Sequence, residues 1–169
     1  MSETSVLLPK RFFVTSGKAS SSTSITNAFD EALLNAGIGQ YNLVEVSSII
    51  PPDAKQVHRL IEIPAGIVVF AIIARKDGKS EEAIGAGIGW AWGILSTGKR
   101  LGIVVKEETG SRDPDLIKAE LEKKLKEMAS IRNMKLLEIH TRAEQMEVPK
   151  DKFGSVVVAF VYLQGAPLP

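Results

Sequence analysis

Cysteine is absent from the chain, which excludes disulfides, thiolate nucleophiles, iron–sulfur clusters and thiolate zinc sites together. An excess of either charge is missing too: 21 Lys and Arg stand against 20 Asp and Glu over 169 residues. That balance leaves no electrostatic footprint for nucleic acid or an anionic membrane. Long apolar runs are also lacking. The longest uncharged apolar stretch, Ala83 to Leu95, falls short of the roughly 20 residues a membrane helix requires. The opening MSETSVLLPKRFF places Glu3 ahead of a short apolar run, a poor secretory signal, so a cytoplasmic protein is expected. Only His58 and His140 represent histidine. Without Cys they make no zinc site, and without a nucleophile-elbow pattern they make no serine–histidine–carboxylate hydrolase. What is present, 44% hydrophobic and 24% charged residues, suits one globular domain and excludes wholesale disorder.

Hydropathy patterning divides the chain into two helices and a set of strands. Arg11 to Thr15 reads as a strand, and the Ser/Thr-rich stretch from Ser16 to Ser24 as a loop. Ile25, Phe29, Leu33 and Ala36 then fall at helical spacing, with Ser24 or Thr26 as N-cap and Gly37 and Gly39 as stop signals. Asn42 to Val46 alternates as a short strand. Ser47-Ser48-Ile49-Ile50 carries it into Pro51-Pro52, which end any ladder because proline has no N–H. Gly66 to Arg75 and Ala83 to Ile94 are predicted to form a hairpin about the turn Asp77 to Ser80. On the second of these strands Gly85, Gly87, Gly89, Ala91 and Gly93 alternate with bulkier residues. One face is nearly bare backbone, which predicts close approach of a sheet, a helix or another subunit. Leu101 to Val105 is a further strand. Asp113 caps a helix that starts at Pro114 and runs to about Arg132, with Ile117, Leu121, Leu125, Met128 and Ile131 on one face. Leu136 to Ala143 and Phe153 to Leu163 complete the strands, and 164–169 reads as a frayed tail. The order β-α-β-β-β-β-α-β-β defines an α+β fold, with helices covering largely antiparallel sheets in a single domain over 1–169.

Two glycine motifs fail on closer reading. Gly93 to Lys99 (GILSTGK) matches a phosphate loop until Arg100 stands where the magnesium-holding hydroxyl belongs, and a strand follows instead of a helix. The glycines from Gly85 to Gly93 do not complete G-x-G-x-x-G, because Trp92 occupies the third site. Trp90 and Trp92 read as core or interface aromatics. No metal site is predicted.

The segment 26–52, TNAFDEALLNAGIGQYNLVEVSSIIPP, carries the chemistry. Asn27-Ala28-Phe29-Asp30, then Leu33-Leu34-Asn35-Ala36-Gly37-Ile38-Gly39, then Asn42-Leu43, and finally Ser47-Ser48-Ile49 with Pro51-Pro52 resemble the pyruvoyl-dependent arginine decarboxylases in order and spacing. A weaker likeness runs on through the later strands and the second helix to Tyr162. Decarboxylating an α-amino acid leaves a carbanion that needs an electron sink, and this family makes its sink, a covalent pyruvoyl group, from its own backbone. By similarity, the Ser48 hydroxyl attacks the carbonyl of Ser47 and converts the amide to an ester. β-Elimination then leaves dehydroalanine at 48. Hydrolysis releases ammonia and leaves the pyruvoyl group at the head of a 48–169 fragment, separated from 1–47. Serine is required at 48 because its oxygen is first nucleophile and then leaving group. The new ketone takes the substrate amine as a Schiff base.

The resemblance implies further roles. Asn42 corresponds to a polar group beside the cut, suited to polarising the Ser47 carbonyl. Asp30 corresponds to the carboxylate that pairs with a substrate guanidinium. The proton donor is where the chain departs from the family, which has a glutamate on the strand at Leu101 to Glu108; here the run is Val105-Lys106-Glu107-Glu108. Alignment from Gly102 places Lys106 in that role. Strand alternation instead puts Glu107 with Leu101, Ile103 and Val105 on one face, the placement a general acid needs if that face is buried at the site. Glu107 is therefore the expected donor and Glu108 the alternative. The implied fold is a four-layer αββα sandwich. The implied assembly is a homotrimer of cleaved protomers with active sites between neighbours, and the implied reaction converts L-arginine to agmatine and carbon dioxide, an entry to polyamines. Competing readings are a pyruvoyl decarboxylase of another amino acid, a non-catalytic paralogue serving as an assembly subunit, and an unrelated small-molecule-binding domain.

Overall fold

The computed structural model describes residues 8–58 and 63–163, so the tail at 164–169 lies outside the described residues. In chain order the elements are β1 (Arg11–Ser21), α1 (Ile25–Asn35), β2 (Asn42–Glu45), β3 (Ile49–Ile50), β4 (Lys55–Gln56), β5 (Val68–Lys79), β6 (Ala83–Leu95), β7 (Arg100–Thr109), α2 (Pro114–Ile131), β8 (Met134–Glu147) and β9 (Phe153–Leu163). Both helices begin where their caps predict. The Ser24 side chain accepts from Asn27 N–H, and the Asp113 carboxylate accepts from Asp115 and Leu116 N–H, with Pro114 opening the first turn. Gly37, at φ +70, ends α1 as a left-handed residue after the helix. No described helix is long and apolar enough to cross a membrane.

The strands divide between two sheets, ordered β2-β5-β9-β1-β4 and β3-β7-β6-β8. Pairings β1–β4 and β2–β5 are parallel and the others antiparallel, which bears out the α+β class. The inner faces meet through Phe12, Ile72, Val156, Val158 and Phe160 of the first sheet and Ile84, Ile88, Trp90 and Val104 of the second. Phe12 and Phe160 stack at 4.2 Å, and Trp90 meets Phe160 edge-on at 6.2 Å. Ala32 and Ala36 of α1 pack on Val157, Ala159 and Val161 behind the first sheet. The glycine face of β6 receives α2: a Cβ on Gly87 would lie 2.6 Å from Ile117 Cγ2 and 2.9 Å from Leu121 Cδ1. Bare backbone is what lets this helix sit so close. The layering is consistent with a sandwich of two sheets between two helices.

Three local expectations are corrected. The predicted hairpin does not form, because β5 and β6 belong to different sheets. The link at 80–82 hydrogen-bonds instead to the β8–β9 connection, with Glu81 N–H to Val148 O and Val148 N–H to Glu82 O, both 2.9 Å. The expected loop from Ser16 is strand through Ser21, paired with β9 as far as Ser21↔Phe153. Its polar residues have partners across the sheet interface: Ser16 Oγ donates to Glu144, and Lys18 pairs with Glu144 at 3.0 Å. The stretch 42–50, read as one strand running into the prolines, is broken at 46–48, and β3 belongs to the opposite sheet from β2.

Candidate active site

Ser47 and Ser48 lie on the crossing from β2 to β3, between the sheets. The crossing is pinned at both ends. Before it, Val46 N–H donates to Ala71 O of β5 at 3.0 Å; at its far side, Val104 N–H of β7 donates to Ser48 O at 2.9 Å. One residue on, the Tyr162 hydroxyl of β9 donates to Ile49 O at 2.7 Å. Burial of Tyr162 pushes its pKa well above the ordinary 10.0, so the phenol keeps its proton and continues to donate. Ser47 is exposed and Ser48 half-buried. The peptide between them is therefore fixed by its neighbours while lying outside any ladder.

A cleft of about 330 Å³ opens at this point, with Ser47, Ser48, Glu45 and Lys106 on its polar side and Ile72, Ile73 and Val104 on its apolar side. It shares Glu45, Ile73 and Lys106 with a second cleft of about 520 Å³, bordered by Asn42, Phe29, Arg75 and Glu108. Lys106 Nζ donates to Ile73 O at 3.0 Å and stands 3.7 Å from Glu108 Oε1 and 4.0 Å from Glu45 Oε1. Arg75 is engaged elsewhere: it pairs with Asp77 at 2.8 Å, and its guanidinium lies 3.6 Å over the Phe29 ring.

The candidates from sequence are not all brought together. Strand alternation places Leu101, Ile103, Val105 and Glu107 on one face as expected, but that face turns to α2. Glu107 pairs there with Lys124, whose Nζ also donates to Lys106 O at 2.9 Å. The cleft belongs to the opposite face of β7, with Val104 and Lys106. Asn42 borders the second cleft, yet its side-chain amide donates to Gly66 O at 2.7 Å instead of to the Ser47 carbonyl. Asp30 is exposed on α1 and lines neither cleft. Two residues of the site escaped the sequence reading. Glu45 ends a four-residue strand, too short for alternation to declare a face. Tyr162 lies 113 residues from the carbonyl it holds, and no local pattern reports so distant a contact.

The surroundings fit a group made from residue 48. A half-buried serine oxygen lies beside a peptide that no ladder occupies, with room on one side and the flanking carbonyls of Ser48 and Ile49 already bonded. A family model described as pyruvoyl-dependent arginine decarboxylase matches residues 11–167. Relatives carrying that name include one from Methanopyrus kandleri, 35% identical over 92% of this chain and 97% of its own. Another, from Methanothermobacter thermautotrophicus, is 33% identical over 89% and 94%, and one from Thermococcus kodakarensis is 31% identical over 91% and 97%. The chain belongs to the pyruvoyl-dependent arginine decarboxylase family. A covalently bound pyruvoyl group comes with that membership.

Proposed function

We propose that this protein cuts itself between Ser47 and Ser48 and then decarboxylates L-arginine to agmatine and carbon dioxide. The observation that carries the reading is the position of the serine pair: on a sheet-to-sheet crossing, clamped on both sides, and open to a cleft that holds Glu45 and Lys106. Ser48 Oγ attacks the Ser47 carbonyl, and the amide nitrogen leaves that carbonyl to become a free amine. Loss of the acylated oxygen with the Ser48 α-proton gives dehydroalanine, whose hydrolysis releases ammonia. Fragments 1–47 and 48–169 result, and the family's pyruvoyl group at 48 supplies the electron sink for decarboxylation. The chain's own residues bind and orient. Val104 N–H and the Tyr162 hydroxyl hold the strand that follows residue 48, while Asn42 anchors the start of β2 through Gly66 O and Ile67 O.

Asp30 supplies the carboxylate for the substrate guanidinium, a geometry suited to two parallel hydrogen bonds. Because Asp30 lies outside the clefts of its own chain, it reaches substrate across a subunit boundary in a homotrimer. Exposed Val44, Val46 and Ile49 beside the serine pair, at 42%, 37% and 36% exposure, support such a contact. The partner in this reading is a small cationic substrate in the cytoplasm, with no nucleic acid or membrane. Incubation of purified protein with carboxyl-labelled arginine tests it: labelled carbon dioxide and agmatine are expected, and release from another amino acid instead would overturn the substrate. Asp30→Ala is expected to raise KM by about 10-fold or more, the worth of a charge-assisted hydrogen bond, with self-cleavage intact. Equal losses in both would make Asp30 structural.

A further inference from the structure

The electron pair left on the substrate α-carbon by departing carbon dioxide must receive a proton, and the geometry points to the donor. Among the side chains lining the cleft with Ser48, Glu45 and Lys106 carry the charge. Glu45 is 63% exposed and presents a carboxylate, an acceptor. Lys106 presents an ammonium with three N–H bonds, one of which goes to Ile73 O at 3.0 Å. Glu108 and Glu45 flank it at 3.7 and 4.0 Å, too long for tight hydrogen bonds, so donor capacity is left for the cleft. The strand is braced from behind: Lys124 of α2 donates to Lys106 O and pairs with Glu107. Groups facing the amine are thus Glu45 from β2, the Ile73 carbonyl from β5 and Glu108 from β7, with Arg75 at the border of the adjoining cleft and held by Asp77.

We propose that Lys106 is the proton donor of the decarboxylation, with Glu45 and Glu108 as its positioning residues. The assignment rests on the function proposed above. In the step, one Nζ–H bond breaks and its electrons stay on nitrogen as a neutral amine. The proton bonds to the substrate α-carbon through the pair that departing carbon dioxide leaves behind. Lys106 is 49% exposed, so water returns the proton to the amine.

Purified wild type and Lys106→Met, Lys106→Glu, Glu45→Gln and Glu107→Gln are compared by intact mass and by steady-state kinetics with arginine. Lys106→Met is expected to split at the serine pair, since its side chain is half exposed and outside the core, and to lose about 100-fold or more in kcat with little change in KM. A second readout follows from misplaced protonation: the substrate nitrogen stays on residue 48, which becomes alanine, and the carbon skeleton leaves as an aldehyde. Peptide mass of the 48–169 fragment reads that change, which disabling a merely structural residue does not produce. Lys106→Glu is expected to recover turnover toward acid pH, because a carboxyl group donates only while protonated. Glu45→Gln is expected to lower kcat several-fold without the switch to alanine. Wild-type kcat in Lys106→Met, failure of that variant to split, or the large loss in Glu107→Gln instead would overturn the assignment. A wild type that does not split or releases no carbon dioxide sinks the proposed function itself, a result separable from any of these.

Discussion

The chain passes between its two sheets after β2, after β3, after β5 and after β8, and the crossings are built differently. Those at 80–82 and 148–152 are bonded to each other: Glu81 and Val148 exchange hydrogen bonds with Val148 and Glu82, and Ser80 Oγ accepts from Asp151 N–H at 2.9 Å. Val148, 1% exposed, plugs the space between them against Ile84 and the core. Backbone strain also sits there, with Glu81 at φ +64 and Asp151 at φ +59. The crossing at 46–48 has no positive φ and no partner crossing. It is held only at its flanks and faces a cleft. In the proposed reading a change of sheet is not reactive in itself, and left-handed strain is not what marks the bond proposed to break. Access is what differs: Ser47 and Ser48 line a cleft, whereas the Ser80 oxygen already accepts from Asp151 N–H.

The sharpest way to break this contrast is to remove the oxygen. Ser48→Ala is expected to abolish splitting and decarboxylation completely while leaving melting near wild type, because the residue lies on an open crossing; gel analysis and a thermal melt check both. Val148→Ala is the counterpart at the closed crossings. It is expected to cost about 2 kcal/mol of stability through the lost methyl groups and the cavity, with splitting unchanged below the melting transition. Loss of splitting there would mean that the crossings are coupled.

Tyr162→Phe tests the clamp. Removing the hydroxyl leaves Ile49 O without its donor, at about 1 kcal/mol, and slows splitting several-fold in a refolding time course. It also has a pH signature. The folded-state pKa of Tyr162 is raised above the ordinary 10.0, so the stability this residue contributes is complete below pH 10.0 and declines as pH rises past it. The alkaline limb of stability against pH is expected to be shallower in Tyr162→Phe than in wild type. The smallest effect is at Glu81, where glycine relieves the left-handed conformation. Glu81→Gly is expected to gain up to about 1 kcal/mol with no change in splitting.

Local chemistry was readable in the sequence, and long-range pairing was not. Ser24, Gly37, Asp113 and Pro114 mark helix ends through bonds within a few residues, and the Gly85–Gly89 alternation announced a close neighbour without saying whether sheet, helix or subunit; α2 supplies it. The turn residues Asp77 to Ser80 suggested a hairpin because turn chemistry says nothing about which strands will pair. Here β9 takes the edge of β5, while β7 and β8 take those of β6. Ser16 to Ser21 looked like a loop since the partners that make its polarity acceptable, Glu144 and Arg142, are more than a hundred residues away. The serine pair was legible as a motif. The face of β7 was not: alternation separates Lys106 from Glu107 but cannot say which side carries the cleft and which the helix.

Intact-mass spectrometry of the purified chain reads the proposed cut itself. Two polypeptides spanning 1–47 and 48–169 are expected, the longer beginning with a ketone that a hydroxylamine probe captures. A single unsplit chain, or a break at 80–82 or 148–152 in place of the serine pair, would contradict the account.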